Sequence, residues 1–345
     1  MDRLAKRFLP AACILLLWLS GTHADTRSGA PPLYLSEPAY DGEILALIDK
    51  VYRADYGAAD SIAARLPDGP ARSYFRGLVG INRFNDLGDT AALFAADRSW
   101  ERLDRAGDST ASVMNRHPNY PLYRGLAELQ MSYVANLTGG RIHSALLGRR
   151  AVKLLSPMDQ FAEAKCALAL YDYYKAQLLE GVDWLPFVAK ADREKPLQAL
   201  ETAIPQSRYL QEILRTSLIW IYYDLGRYDQ GQRHIEAFLA RYPGNRPYRA
   251  MLADFRFRQG DVDSAGRIHD RLAAEYRSLQ ADYPAPFYLP LGYLSSVGNL
   301  AKISARRKQA EPLKAQLAIW YSPRHGGMMR WLPSSLRREV DSLKK

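Results

Sequence analysis

From Asp41 onward the apolar side chains Ile44, Leu45, Ile48, Val51 and Tyr52 recur at helical spacing. That spacing gathers them on one face and predicts an amphipathic α-helix. The pattern then restarts along the chain in segments of about a dozen residues, an ordinary helix length for a globular domain. Helix-ending residues stand between the segments: Pro67 and Pro70, Gly107 and Asp108, Pro118 and Pro121, Gly139 and Gly140, and Pro157. Further along they are Pro186, Pro205, Gly226, Pro243, Gly260, Pro284 and Pro323. Neither the strict alternation of a half-buried strand nor an Asn-Gly hairpin signal occurs. The expected fold class is therefore all-α, a train of helix pairs over residues 41–323. An extended lead-in over 25–40, carrying Pro31, Pro32 and Pro38, precedes it.

A fixed period runs through part of this train. Leu218 and Leu252, Gly226 and Gly260, Gly231 and Ala265, and Phe238 and Leu272 each stand 34 positions apart. The first unit reads Leu218-Ile219, Tyr222, Gly226, Gly231, Ile235, Phe238 and Pro243; the second reads Leu252-Ala253, Phe255, Gly260, Ala265, Ile268 and Leu272. Small residues at Gly231, Ala253 and Ala265 let two helices approach, while Tyr222, Ile235 and Phe238 fill the space beside them. Gly226 and Gly260 stand where a first helix must stop and reverse.

In these residues the chain resembles the tetratricopeptide repeat family, whose unit is a helix-turn-helix of this length. The second unit departs from the family pattern by lacking the closing proline. The resemblance is strongest over 209–243 and 244–276. A weaker copy spans Pro118–Pro157, with Leu126-Ala127, Tyr133, Gly140, Ala145, Val152 and Pro157. Residues 171–203 do not fit the period and read as an irregular helical insertion. The resemblance implies a right-handed solenoid of antiparallel helix pairs in which the first helix of each pair lines a concave groove. It places Thr216, Trp220, Tyr223 and Asp224 of one repeat in that groove with Ala250, Asp254, Phe257 and Arg258 of the next. Aromatic walls with a few charges suit an extended peptide or a partner helix. Packing of Trp220 or Phe257 against the 171–203 segment is the alternative.

The N-terminus changes the picture of where such a protein works. Arg3, Lys6 and Arg7 precede an apolar run from Phe8 to Leu19 that ends at Thr22-His23-Ala24. This is the pattern of a secretory signal over residues 1–24, cleaved before Asp25, with an uncleaved anchor as the alternative. Arginine outnumbers lysine 35 to 12, a bias of GC-rich bacterial genomes, so export points to the periplasm. Loss of Cys13 with the signal leaves Cys166 alone, so the exported chain has no internal disulfide. Stability must then come from a core, for which a 48% apolar composition is ample.

Charge is uneven along the chain. Residues 302–345 hold 11 basic and 3 acidic side chains, a net +8 that equals the net charge of everything after residue 24. The region between sums to zero, which gives no basis for binding nucleic acid. In the tail over 324–345, Arg324, Arg330, Trp331, Arg337 and Arg338 combine cations with apolar side chains. That composition suits an anionic membrane surface; a terminal cap over the last repeat is the other expectation.

Motifs for catalysis or metal binding do not emerge. His117, His143, His234, His269 and His325 have no metal-ligand spacing to one another, and no nucleophile elbow or phosphate-binding loop occurs. Asp261-Val262-Asp263 opens like a calcium loop but has Leu272 where the bidentate glutamate belongs. Asp261 reads instead as a helix N-cap, and Cys166 as a small buried apolar residue. The expectation is a non-catalytic scaffold or adaptor of the cell envelope, without cofactor or metal, that binds a protein or peptide partner. An envelope enzyme with a dispersed site, or a peripheral membrane protein acting through its tail, are the alternatives.

Overall fold

Among the described residues proline and glycine end helices where the sequence places them, while the breaks expected at Gly139, Pro186, Pro284 and Pro323 lie outside those residues. The computed structural model describes residues 33–107, 112–138, 140–179 and 192–279. Among them lie twelve α-helices: α1 (Asp41–Tyr52), α2 (Tyr56–Arg65), α3 (Pro70–Leu87), α4 (Thr90–Ala106), α5 (Tyr120–Leu137) and α6 (Arg141–Leu155). Then come α7 (Ala162–Leu179), α8 (Glu194–Ala203), α9 (Gln211–Asp224), α10 (Tyr228–Arg241), α11 (Arg246–Arg258) and α12 (Val262–Leu279). Pro70 opens α3, while Pro157 and Pro205 sit in 3-10 turns at Ser156–Met158 and Ile204–Gln206. Gly226 and Gly260 take left-handed backbone, φ +71° and +90°, at the reversals after α9 and α11. Asp55, Asp89 and Asp261 cap α2, α4 and α12 by accepting from the backbone N–H groups of Ala58, Ala92 and Ser264.

No strand occurs among the described residues; the sole ladder-like contact is an isolated bridge between Leu33 and Phe161. That bridge belongs to a clasp. Leu33 donates to the Gln160 carbonyl (2.9 Å) and accepts from the Ala162 N–H (2.7 Å), while the Leu35 N–H donates to the Glu163 carboxylate (2.9 Å). The Glu37 N–H donates to the Tyr209 hydroxyl at 3.0 Å. The lead-in is therefore pinned, and it closes on a 3-10 turn at Pro38–Tyr40 rather than staying extended throughout.

The chain divides into two compact units. The first takes the described residues through Val51, then Asp55–Gly80 and Phe94–Leu225. In it α5 packs on α6, α6 on α7, α7 on α8 and α8 on α9. Its core holds the fully buried rings of Tyr74, Phe75, Trp100, Tyr123, Tyr173 and Tyr209. Close approach is written into Gly77, where a β-carbon would sit 2.2 Å from the Trp100 indole. The second unit takes Tyr52–Ala54, Ile81–Leu93 and the described residues from Gly226 on. There α11 packs against α10 and α12, and Phe238 stacks on Tyr248 with ring centroids 3.5 Å apart. A β-carbon on Gly231 would lie 2.2 Å from the Phe255 ring, and Ala265 is buried, as the repeat register requires of both. Buried Asp86 ties this unit together by accepting from Arg246 (2.9 Å) and from the Tyr276 hydroxyl (2.9 Å).

Two features depart from the sequence reading or refine it. Tyr171–Leu179 completes the eighteen-residue helix α7, and Glu194–Ala203 forms α8, packed as its neighbour; residues 180–191 of the expected helical insertion lie outside the described residues. Exposure also alternates. Among their described side chains α9 and α11 have none fully exposed, α3 has only Arg76 and α5 only Pro121. The helices that follow them, α4, α6, α10 and α12, carry exposed positions on every turn or nearly so.

Candidate binding surface

The face of α9 expected to line a groove exists as one strip. Thr216, Trp220, Tyr223 and Asp224 fall on one side of the helix because their spacing follows its turn, and Thr216, Trp220 and Tyr223 are half-buried. Trp220 and Tyr223 meet edge to face with centroids 5.6 Å apart, which fixes both rings as a small aromatic platform. The Thr216 hydroxyl donates to the Glu212 carbonyl (2.9 Å) and is spent inside the helix. Arg215 is paired with Glu212 at 2.7 Å.

Asp224 corrects the expectation of an available groove charge. Its carboxylate accepts from Arg193 (2.7 Å) and from the Tyr173 hydroxyl (2.9 Å), and its side chain is 4% exposed. It fastens α9 to α7 and to the residue before α8. Burial and the Asp224 charge push the Tyr173 hydroxyl far above its ordinary range. Neither Arg193 nor Tyr173 was expected at the site.

In the second unit Asp254 and Arg258 stand one turn apart on α11. Burial pushes Asp254 up to about 7, with the Arg258 charge opposing it. Ala250 is half-buried on the same helix. The side chain of Phe257 lies outside the described residues, as do the signal at 1–24 and the tail residues Arg324, Arg330, Trp331, Arg337 and Arg338. The α9 set and the α11 set belong to different compact units.

The first unit holds a converging charged group that sequence reasoning missed. Asp104 of α4 accepts from Arg124 of α5 (2.9 Å) and from Arg150 of α6 (3.0 Å). Glu128 of α5, 0% exposed, lies 3.1 Å from Arg150 and 3.8 Å from Arg124 without forming a well-aligned hydrogen bond. Burial, then the neighbouring Asp104, push Glu128 up to about 7. Burial also pushes Asp104 upward, but the hydrogen bond from Arg124, the neighbouring Glu128 carboxyl and the charges of Arg150 and Arg124 carry it below the usual carboxylate range. Two guanidiniums face two carboxyl groups here, so the group is a partly buried charged tie between three helices. The Arg124–Glu128 spacing was visible in the sequence as an i,i+4 pair; its partners on α4 and α6 were not.

These ties also join the outer helices. Arg150 bonds Asp104, and His143 acts electrostatically on Asp97. The hydrogen bond joins α4 to α6 directly, and the electrostatic pair lies seven positions before it on both helices. Cys166 is fully buried, and burial followed by the Glu163 charge pushes its thiol up to about 12, as suits a packed apolar residue. Among the described residues no group of three or more His, Cys, Asp or Glu is placed to hold a metal ion, and no helix is long and apolar enough to cross a membrane. No family model matches the chain, and no curated protein matches it.

Proposed function

We propose that the chain is a tetratricopeptide-like right-handed solenoid acting as a scaffold or adaptor of the bacterial cell envelope. It binds a protein or peptide partner through the half-exposed faces of its first helices. The alternation of exposure carries this reading: α3, α5, α9 and α11 are sheltered, while α4, α6, α10 and α12 face solvent. In stacked helix pairs the first helices are shielded by their neighbours on two sides and the second helices are not. The Trp220–Tyr223 platform supplies the aromatic anchor that binding surfaces favour. Export rests on the signal pattern at 1–24.

The test is site-specific photocrosslinking in cells with the full chain. A photoreactive residue at Trp220 or Tyr223 is expected to trap a discrete protein adduct, and one at exposed Arg233 of α10 is not. Adducts at Arg233 alone would move the binding face to the outer helices and end this assignment.

A further inference from the structure

The outer face of α4 and α6 presents three large apolar side chains to solvent: Ile142 is 68% exposed, Leu146 48% and Phe94 46%. The Arg150–Asp104 hydrogen bond joins the two helices, and the His143 charge acts on Asp97; Phe94 stands one turn before Asp97, and Ile142 immediately before His143. Among the described residues the other exposed large apolar side chains are Leu33, Tyr34 and Leu45, and none of them lies on α4 or α6.

Cations follow behind the cluster along both axes. On α6, Ile142, Leu146, Arg149 and Lys153 lie along one stripe, with Arg150 and His143 at its flank, and all six are exposed. On α4, Phe94 is followed on the same stripe by Arg98, Arg102 and Arg105. Arg102 pairs with Asp68, Arg105 with Glu101 and Arg150 with Asp104. Arg98 acts electrostatically on the adjacent, half-buried Asp97, while Arg149 and Lys153 form no salt bridge with a described residue and give the face a net positive charge.

We infer that this face docks on an anionic phospholipid surface, with Phe94, Ile142 and Leu146 entering the acyl boundary and Arg98, Arg149 and Lys153 meeting the headgroups. This site is distinct from the partner-binding face of α9 and from the tail. The composition supports a lipid occupant: exposed apolar side chains share a helix face with cations, which suits a target that is apolar below and anionic above. A second copy of the same cationic face would be repelled by it.

The experiment is sedimentation of the intact chain with mixed phosphatidylglycerol and phosphatidylcholine vesicles, against phosphatidylcholine alone. Binding is expected to the anionic vesicles only, to weaken as salt rises, and to fall about tenfold in the double variants Ile142→Ser/Leu146→Ser and Arg149→Gln/Lys153→Gln. A control double variant, Arg233→Gln/Arg241→Gln on α10, is expected to bind as the parent does. All altered positions are exposed, so helicity by circular dichroism is expected to be unchanged. In Ile142→Trp, emission at that position is expected to shift to the blue on adding anionic vesicles. No binding to anionic vesicles, or equal binding by parent and α6 variants, overturns the inference. So does binding that disappears only when residues 324–345 are deleted, or retention of the chain on immobilised polyglutamate but not on vesicles.

Discussion

Replacing Gly231 by alanine tests the packing of α10 on α11 most directly. In a helix interior alanine is favoured over glycine by about 1 kcal/mol, so an open site would be stabilised by the change. At Gly231 the added β-carbon would fall 2.2, 2.7 and 3.3 Å from three atoms of the Phe255 ring, where ordinary contact begins at 3.4 Å. The ring cannot swing away, because Phe255 is fully buried and meets Tyr228 edge to face at 6.1 Å. Overpacking of this kind costs about 1–3 kcal/mol, which outweighs the helical gain in all but the mildest case. Gly231→Ala is therefore expected to destabilise the second unit by about 1–2 kcal/mol, read as a lower urea midpoint by circular dichroism. The decisive comparison is the same change in a Phe255→Ala background, where the clash is gone and the sign should reverse. A coupling between the two positions below about 0.5 kcal/mol, or a raised midpoint in the parent, would refute the close approach of these helices.

Three other outcomes follow from the same geometry. Ala265→Phe, at the equivalent position one repeat later, is expected to cost about 1–3 kcal/mol, and an unchanged denaturation midpoint would place Ala265 outside the helix contact. Arg193→Ala removes the guanidinium that bonds the nearly buried Asp224 carboxylate and is expected to cost about 3 kcal/mol, with Arg193→Lys recovering part of it. Glu128 has a folded pKa raised to about 7 from 4.5, so between those values the folded chain holds the extra proton and stability falls as pH rises. Glu128→Gln is expected to flatten that fall, measured as denaturation midpoint against pH from 4.5 to 7; a slope identical to the parent's would mean that Glu128 is not the titrating group.

The turns were legible in the sequence because glycine there answers a local demand: Gly226 and Gly260 both have positive φ, which few other residues tolerate. The small residues Gly231 and Ala265 were legible for a related reason, since the period brings each to a helix contact. The continuation of α7 through Tyr171–Leu179 was not. That helix buries Ala162, Cys166, Ala169, Leu170 and Tyr173 on several sides, so it has no narrow apolar stripe to reveal its period. At the candidate surface the aromatic strip of Trp220 and Tyr223 could be read from helical spacing alone. The engagement of Asp224 could not, because its partner Arg193 comes 31 positions earlier, in a segment that breaks the repeat. The cations of α4 and α6 each looked like an ordinary solvated helix face. Only the pairing of Asp104 with Arg150 makes them one surface.

The clasp on the lead-in also orders events in time. Residues 33–37 take their hydrogen bonds from Gln160, Ala162 and Glu163, and from the Tyr209 hydroxyl made 172 positions after Glu37. Those partners do not exist while the first half of the chain is being synthesised. The earliest described residues to leave the ribosome are thus among the last to find their place, and until then this stretch stays open to whatever meets the emerging chain.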